Sequence, residues 1–237
     1  MVHAATHLGT AVTIAVLTAL PAVAQTPAAP WQSPGSAQPG TAQSQPSQLS
    51  ENFDRDPVTG WHYSCPHAFI QAGNGRALAT RGGGHAVWQA AGPVADFTLK
   101  FRYGYEQGAG DVFFRSTDTP RGMEFYFLRL EPRQVVLGRR LHAPGHKFPE
   151  RNLASAPVLL GPRAWHDVII RAMGGQIQVS IDGKRVLSTR DPQPLRSGAC
   201  GLGAIANSGF VLYDQVTLAP LAQARADASS ANVANWP

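Results

Sequence analysis

The stretch from Trp165 to Leu218 constrains the fold more than any other part of the chain. It reads W-H-D-V-I-I-R, then G-G-Q-I-Q-V-S-I-D-G-K, then G-A-C-G-L-G-A, then F-V-L-Y-D-Q-V-T-L. Apolar and polar residues alternate over short runs, and glycines punctuate them. That period of two is the signature of strands with one buried face. Asp182-Gly183 sits where a two-residue hairpin needs positive φ at both central positions, and Asp and Gly tolerate it. The segment therefore predicts an all-β protein built from short antiparallel strands.

The same alternation continues upstream. In Asp96 to Tyr103, Phe97, Leu99, Phe101 and Tyr103 take one face, and Thr98, Lys100 and Arg102 the other. Further strands are expected over Asp111 to Ser116, Met123 to Leu130, Gln134 to Leu141, Trp165 to Ala172, Gln176 to Asp182, Gly201 to Ile205 and Phe210 to Leu218. Short strands are also expected around Trp61 and Ala77, and His142 to Ala156 reads as a Pro/Gly loop. No helix of normal length is needed. The expectation is a sandwich of two antiparallel sheets over residues 51–221.

The flanks differ in composition. Residues 8–20 form an apolar run ended by Pro21, and Ala22-Val23-Ala24 offers small residues before Gln25. This pattern predicts a secretory signal over residues 1–24 and an exported, periplasmic or extracellular protein. The run is too short for a transmembrane helix, which needs about 20 apolar residues. Residues 25–50, rich in Pro, Gln, Ser and Ala, read as a flexible linker, and residues 222–237 as a loose tail. In an oxidising compartment Cys65 and Cys200 could pair, contributing on the order of 4 kcal/mol in the chain-entropy model. The alternative is two buried free thiols. The net charge is +5, and basic residues concentrate in Arg129, Arg133, Arg139, Arg140, Lys147, Arg151 and Arg163. Such a run suits an anionic surface or a solvated rim. No nucleic-acid motif accompanies it.

Several segments taken in order carry a resemblance. They are Asn52-Phe53-Asp54, Asp96 to Leu99, Asp111 to Arg115, Gly122-Met123-Glu124, Trp165 to Val168, Ile177 to Gly183 and Val211 to Val216. Together they resemble the concanavalin A-like lectin/glucanase superfamily. The nearest forms are laminin-G-like and 3-keto-disaccharide hydrolase-type domains of exported bacterial proteins. The resemblance implies a jelly roll of two sheets, one of them concave and carrying a sugar site. The hydrolase-type relatives read N-S-G-I-x-x-R on one concave strand and G-Y-E-x-Q-I-x-D on the next. Here Arg115, Gly122 and Glu124 are kept, whereas Ala109, Tyr126 and Arg129 stand in the Asn, Gln and Asp positions.

From these strands a site is expected. Glu124 and Tyr126 alternate with Phe125 and Phe127, which places them on the face opposite the core, with Phe113 and Arg115 on the neighbouring strand. An aromatic ring can stack on a pyranose while Glu124, Arg115 and Arg139 reach its hydroxyls. The same Glu124 and Arg115 also read as a plain cross-strand ion pair, worth under about 1 kcal/mol. The first functional expectation is an exported module that binds carbohydrate or a glycan-bearing surface. The resemblance supplies an alternative, hydrolysis or elimination of 3-keto-glycosides, with Glu124 as base and Arg115 facing the enolate. A structural or adhesion module, acting through residues such as Arg139 and Arg140, is the third. A retaining or inverting glycosidase needs two placed carboxylates, and the E-x-D-x-x-E strand motif is absent. His142 and His146 flank a Pro-Gly turn and read as loop histidines rather than metal ligands. No cofactor is expected, beyond a structural calcium that Asp214 and loop carbonyls could hold.

Overall fold

The computed structural model describes residues 48–142, 150–205 and 208–221. The expected signal, most of the linker, the tail, His146 and Lys147 lie outside the described residues. The first strands are β1 (Leu49–Glu51), β2 (Trp61–Tyr63), β3 (His67–Ala72), β4 (Gly75–Thr80) and β5 (His85–Trp88). A single 3₁₀ turn, Gln89–Ala91, follows. Then come β6 (Phe97–Tyr105), β7 (Gly110–Thr119), β8 (Gly122–Leu130), β9 (Gln134–His142) and β10 (Arg151–Pro157). The last are β11 (His166–Met173), β12 (Gln176–Ile181), β13 (Lys184–Arg190), β14 (Ala199–Ala204) and β15 (Val211–Pro220). Two of these depart from expectation: β1 begins inside the stretch read as linker, and Arg151–Pro157 is an edge strand where a loop was expected.

All pairings are antiparallel. One sheet runs β13-β12-β11-β6-β15-β4-β3, with β1 also on β15; the other runs β10-β9-β8-β7-β14-β5-β2. The two stack face to face as a sandwich. The alternation in Asp96 to Tyr103 has its expected consequence: Phe97, Leu99, Phe101 and Tyr103 are buried in the core. They meet Val112, Phe114, Leu128, Leu130, Leu137 and Leu202 from the opposite sheet. Buried tyrosines satisfy their hydroxyls across this interior. Tyr103 donates to Leu130 O at 3.1 Å, and Tyr213 to Gly203 O at 2.6 Å.

The predicted Asp182-Gly183 corner is present, with φ of 50° and 76°. Asp182 does more than turn the chain. Its Oδ1 accepts the Asp167 N–H at 2.9 Å, and its Oδ2 lies 2.8 Å from His166 Nδ1. His166 Nε2 accepts the Gly161 N–H at 3.0 Å, so the imidazole proton sits on Nδ1 and the ring is fully engaged in holding the loop.

The cysteines do not pair: Cys65 and Cys200 are both free and buried. Strand order explains this. Cys200 is in β14, Cys65 follows β2, and β5 lies between those strands. Two strand spacings are about 10 Å, beyond the roughly 7 Å that a disulfide spans between Cα atoms. Among the described residues, no helix is long and apolar enough to cross a membrane.

Candidate functional site

The expected site residues separate into two groups, and the division runs along β7 and β8. On β8, Tyr126 and Leu128 belong to the core between the sheets, whereas Phe125 and Phe127 belong to a second cluster with Val87, Phe113 and Val136 on the other face. Tyr126 is therefore not on the open face. Its ring is fully buried, its hydroxyl donates to Asp191 Oδ2 at 2.8 Å, and it accepts the Leu195 N–H at 3.0 Å. The phenol is pushed up to about 12, first by burial and then by the Asp191 bond.

Arg115 is also displaced from the expected arrangement. The register of β7 slips by one residue between Phe114 and Thr117 against β8, and again against β14. Arg115 takes φ of 51° in this bulge. Bulges re-aim side chains, and this one breaks the alternation that would have put Arg115 beside Phe113. The guanidinium is buried instead, donating to Ala95 O at 2.7 Å, Gly174 O at 2.6 Å, Leu195 O at 3.0 Å and Asp96 Oδ1 at 3.1 Å. Glu124 accepts from Arg139 Nε at 2.8 Å, and Arg139 continues to Asp191 Oδ2 at 3.3 Å and Gln193 O at 2.6 Å. Glu124, Tyr126, Arg139 and Asp191 thus form one network tying β8 and β9 to the segment after β13. Arg115 and Glu124 do not meet each other: Glu124 pairs with Arg139, and Arg115 with carbonyls and Asp96.

The outward face of the seven-stranded sheet holds a different constellation. Phe113 is the one expected site residue on it. Its floor is Phe113, Phe125 and Phe127, and β14 contributes outward positions without side chains. At Gly201 a Cβ would lie 2.5 Å from the Phe113 ring, and at Gly203 one would lie 2.7 Å from His85 Cδ2. The alternating G-A-C-G-L-G-A segment thereby lets both rings lie down over the strand, edge to face at 4.7 Å between centroids. Polar side chains ring this floor. His85 Nε2 is 3.6 Å and Arg140 Nη1 3.8 Å from Asp111 Oδ2. Arg140 and Arg129 both reach Glu150, Arg129 at 3.0 Å. Each guanidinium also lies 5.1 Å from the Phe127 centroid, a cation–π position.

Three buried polar atoms here have no hydrogen-bond partner: His85 Nε2, Asp111 Oδ1 and Arg129 Nε. The Asp111 side chain is only 5% exposed. Buried polar groups are nearly always satisfied, and leaving one unmet costs about 1–3 kcal/mol. Three such atoms share one sheet face beside aromatic rings, an arrangement that can meet both donors and acceptors of a ligand. Sequence reasoning missed His85 and Asp111 as site residues. The signal that could have found them is the glycine alternation in β14, whose bare face must be filled by neighbours.

Most described members of the basic run have partners, whereas Arg133 is exposed. Arg129 and Arg140 lie on the outward face, Arg139 and Arg151 bind Asp191, and Arg163 pairs with Glu106 at 2.9 Å. Asp214 bonds nearby backbone, accepting the Gln215 N–H at 2.7 Å. Its second oxygen lies 3.9 Å from Arg102 Nη1. The Arg102 guanidinium thus stands beside this carboxylate.

Comparisons with known proteins agree with this architecture. The structure resembles a carbohydrate-binding module, CBM66, from Bacillus subtilis, with a TM-score of 0.54 at 16% identity, covering 69% of this chain and 97% of that one. A Bacillus subtilis protein of unknown function with a galectin-like fold gives 0.57 at 14% identity, covering 74% and 97%. A Bacillus licheniformis β-glucanase gives 0.53 at 11% identity, covering 75% and 100%. At such identities these likenesses establish the fold: a concanavalin A-like jelly roll. No curated protein sequence matches the chain. The sequence profile of the 3-keto-alpha-glucoside-1,2-lyase-like domain matches residues 50–218, which is most of the chain, and the protein therefore belongs to that family.

Proposed function

We propose that the protein is an exported module that binds carbohydrate on the outward face of its seven-stranded sheet. The observation that carries the reading is the set of unpartnered buried atoms on His85, Asp111 and Arg129 around the Phe113, Phe125 and Phe127 floor. A saccharide answers each part of it. Hydroxyls both donate and accept, which Asp111 and Arg129 require in turn, and C–H faces pack on rings. The fold shared with a carbohydrate-binding module and a glucanase supports the same ligand class. In calorimetric titration with oligosaccharides, Asp111→Asn and Arg140→Gln should each weaken binding at least tenfold, while Glu124→Gln should leave it unchanged. Equal loss in Glu124→Gln would return the site to the position expected from sequence.

The family match favours a second reading, elimination on a 3-keto-glycoside. A ketone at C3 acidifies the C2 proton. A base takes that proton, the C–H electron pair forms the C1–C2 double bond, and the C1–O bond breaks to release the leaving group; water then adds back. Because Glu124 is held by Arg139, the base on this reading is the His85–Asp111 pair, 3.6 Å apart, with Arg140 beside it to meet the enolate oxygen. Turnover of a 3-keto-glucoside that is lost in His85→Gln but kept in Glu124→Gln would establish it. The absence of turnover in the wild-type chain would leave binding alone.

A further inference from the structure

The outward face of the opposite, eight-stranded sheet carries a feature that the first site does not use. Among the described tryptophans, Trp61 and Trp88 are buried and stacked with their centroids 5.0 Å apart, whereas Trp165 is only half-buried. Its indole lies against β6 at Gly104, where a Cβ would stand 3.4 Å from Cε3. Arg102 holds it from the same strand, its guanidinium 4.8 Å from the ring. The ring is thus fixed by its neighbours while part of it stays open to the surface.

Two depressions border it. One, of about 400 Å³, is apolar, walled by Ile70, Phe210 and Leu212. The other, of about 670 Å³, is of mixed character, with Asp54, Asn74, Arg102, Asp214 and Gln215 among its walls. Trp165 and Ala72 line both and form the saddle between them. The polar wall has unused capacity. No described residue accepts a hydrogen bond from Arg102, Asn74 or the Gln215 side chain, and Asp214 Oδ2 meets Arg102 only at 3.9 Å. The backbone is also bent to make it. Between Asp214 and Thr217, β15 slips register against β6, and Gln215 takes φ of 50°. A non-glycine residue in that region costs on the order of 1 kcal/mol, and such residues and bulges gather at ligand sites.

We propose that this saddle is a second saccharide site, separate from the first and on the opposite side of the sandwich. The chemistry favours a neutral sugar chain. A simple anion would face Asp54 and Asp214 and a simple cation Arg102, whereas hydroxyls can use groups of both signs. The indole offers a flat apolar platform for a pyranose ring, and depressions on both sides of it suit more than one residue of a chain. The two sites would let one domain hold two chains or two points on one surface.

The test is calorimetric titration of the full chain with cellopentaose, laminaripentaose and maltopentaose. The expected result is binding to wild type by at least one of them, weakened at least tenfold at this site by Trp165→Ala. Ala72→Arg, which fills the saddle without entering the core, should do the same, and it guards against a folding defect in the first variant. Asp111→Asn should leave the Trp165-dependent component intact, which separates this site from the one on the other sheet. Binding of all three sugars that is identical in wild type, Trp165→Ala and Ala72→Arg would overturn the proposal. So would the absence of any Trp165-dependent heat with every sugar, whatever happens at Asp111.

Discussion

Arg115 shows how much a single side chain can be misplaced by pattern alone. Its position in the strand argues for a ligand contact, yet its guanidinium is 1% exposed and spends its hydrogen bonds on three carbonyls and Asp96. Burial pulls its pKa below the ordinary value, and Asp96 and Tyr126 oppose that pull. The planar fork matches carbonyls arriving from separate loops, which an ammonium cannot do. Removing a partner from a buried charged cluster costs roughly 3–5 kcal/mol. Arg115→Ala should therefore lower unfolding free energy by about that much in urea titration, and Arg115→Lys should recover only a fraction. A loss below about 1 kcal/mol would mean that the carbonyls find water, and that the stitch between the sheets is not made by this residue.

At the scale of the element, most strands were legible and the faces of two were not. Asp96 to Tyr103 alternates cleanly, so its period gives both the strand and the buried side. Phe113-Phe114 and Phe125-Tyr126-Phe127 are aromatic at every position, and a run without alternation carries no phase. Reading Glu124 and the Tyr126 hydroxyl as the open side reverses the phase, because the phenol is buried against Asp191 and the phenylalanines face outward. The β7 bulge left no mark in residue type, since Arg115 is neither glycine nor asparagine. Strand order was equally silent about the cysteines. Cys200 is buried in the core, and burial pushes its thiol up to about 12; burial also lifts Cys65, to about 11. Thiolates are the reactive form, so both should resist alkylation at pH 7.5 in the native protein and react fully in urea without reductant. A protein that shows no free thiol in urea would contain the disulfide that this strand order forbids.

At the scale of the molecule, one carboxylate of the first sheet gathers side chains from three strands of the other. Asp191 follows β13 of one sheet, and its fully buried side chain accepts from Tyr126 on β8 and Arg151 on β10 at 2.8 Å each. Arg139 on β9 adds a third contact at 3.3 Å, and the Gln193 N–H a fourth at 3.1 Å. Burial by itself would raise this carboxyl, but the bonds from Tyr126, Gln193 and Arg151 outweigh it and hold the pKa below its usual 3.8. A folded-state pKa below the unfolded one means stability that is present above about pH 4 and is lost as pH falls through the folded value. Asp191→Asn removes the charge while keeping the shape. It should destabilise the sandwich by roughly 3 kcal/mol at pH 7, the scale for stripping one member from a buried ionic cluster. The gap between variant and wild type should then narrow below pH 4, as the wild-type carboxylate is titrated. Urea midpoints at pH 7, 5, 4 and 3 measure that gap directly. A gap that stays constant down to pH 3 would place the stabilisation in the hydrogen bonds of a neutral side chain, and would make the clamp between the sheets one of shape and not of charge.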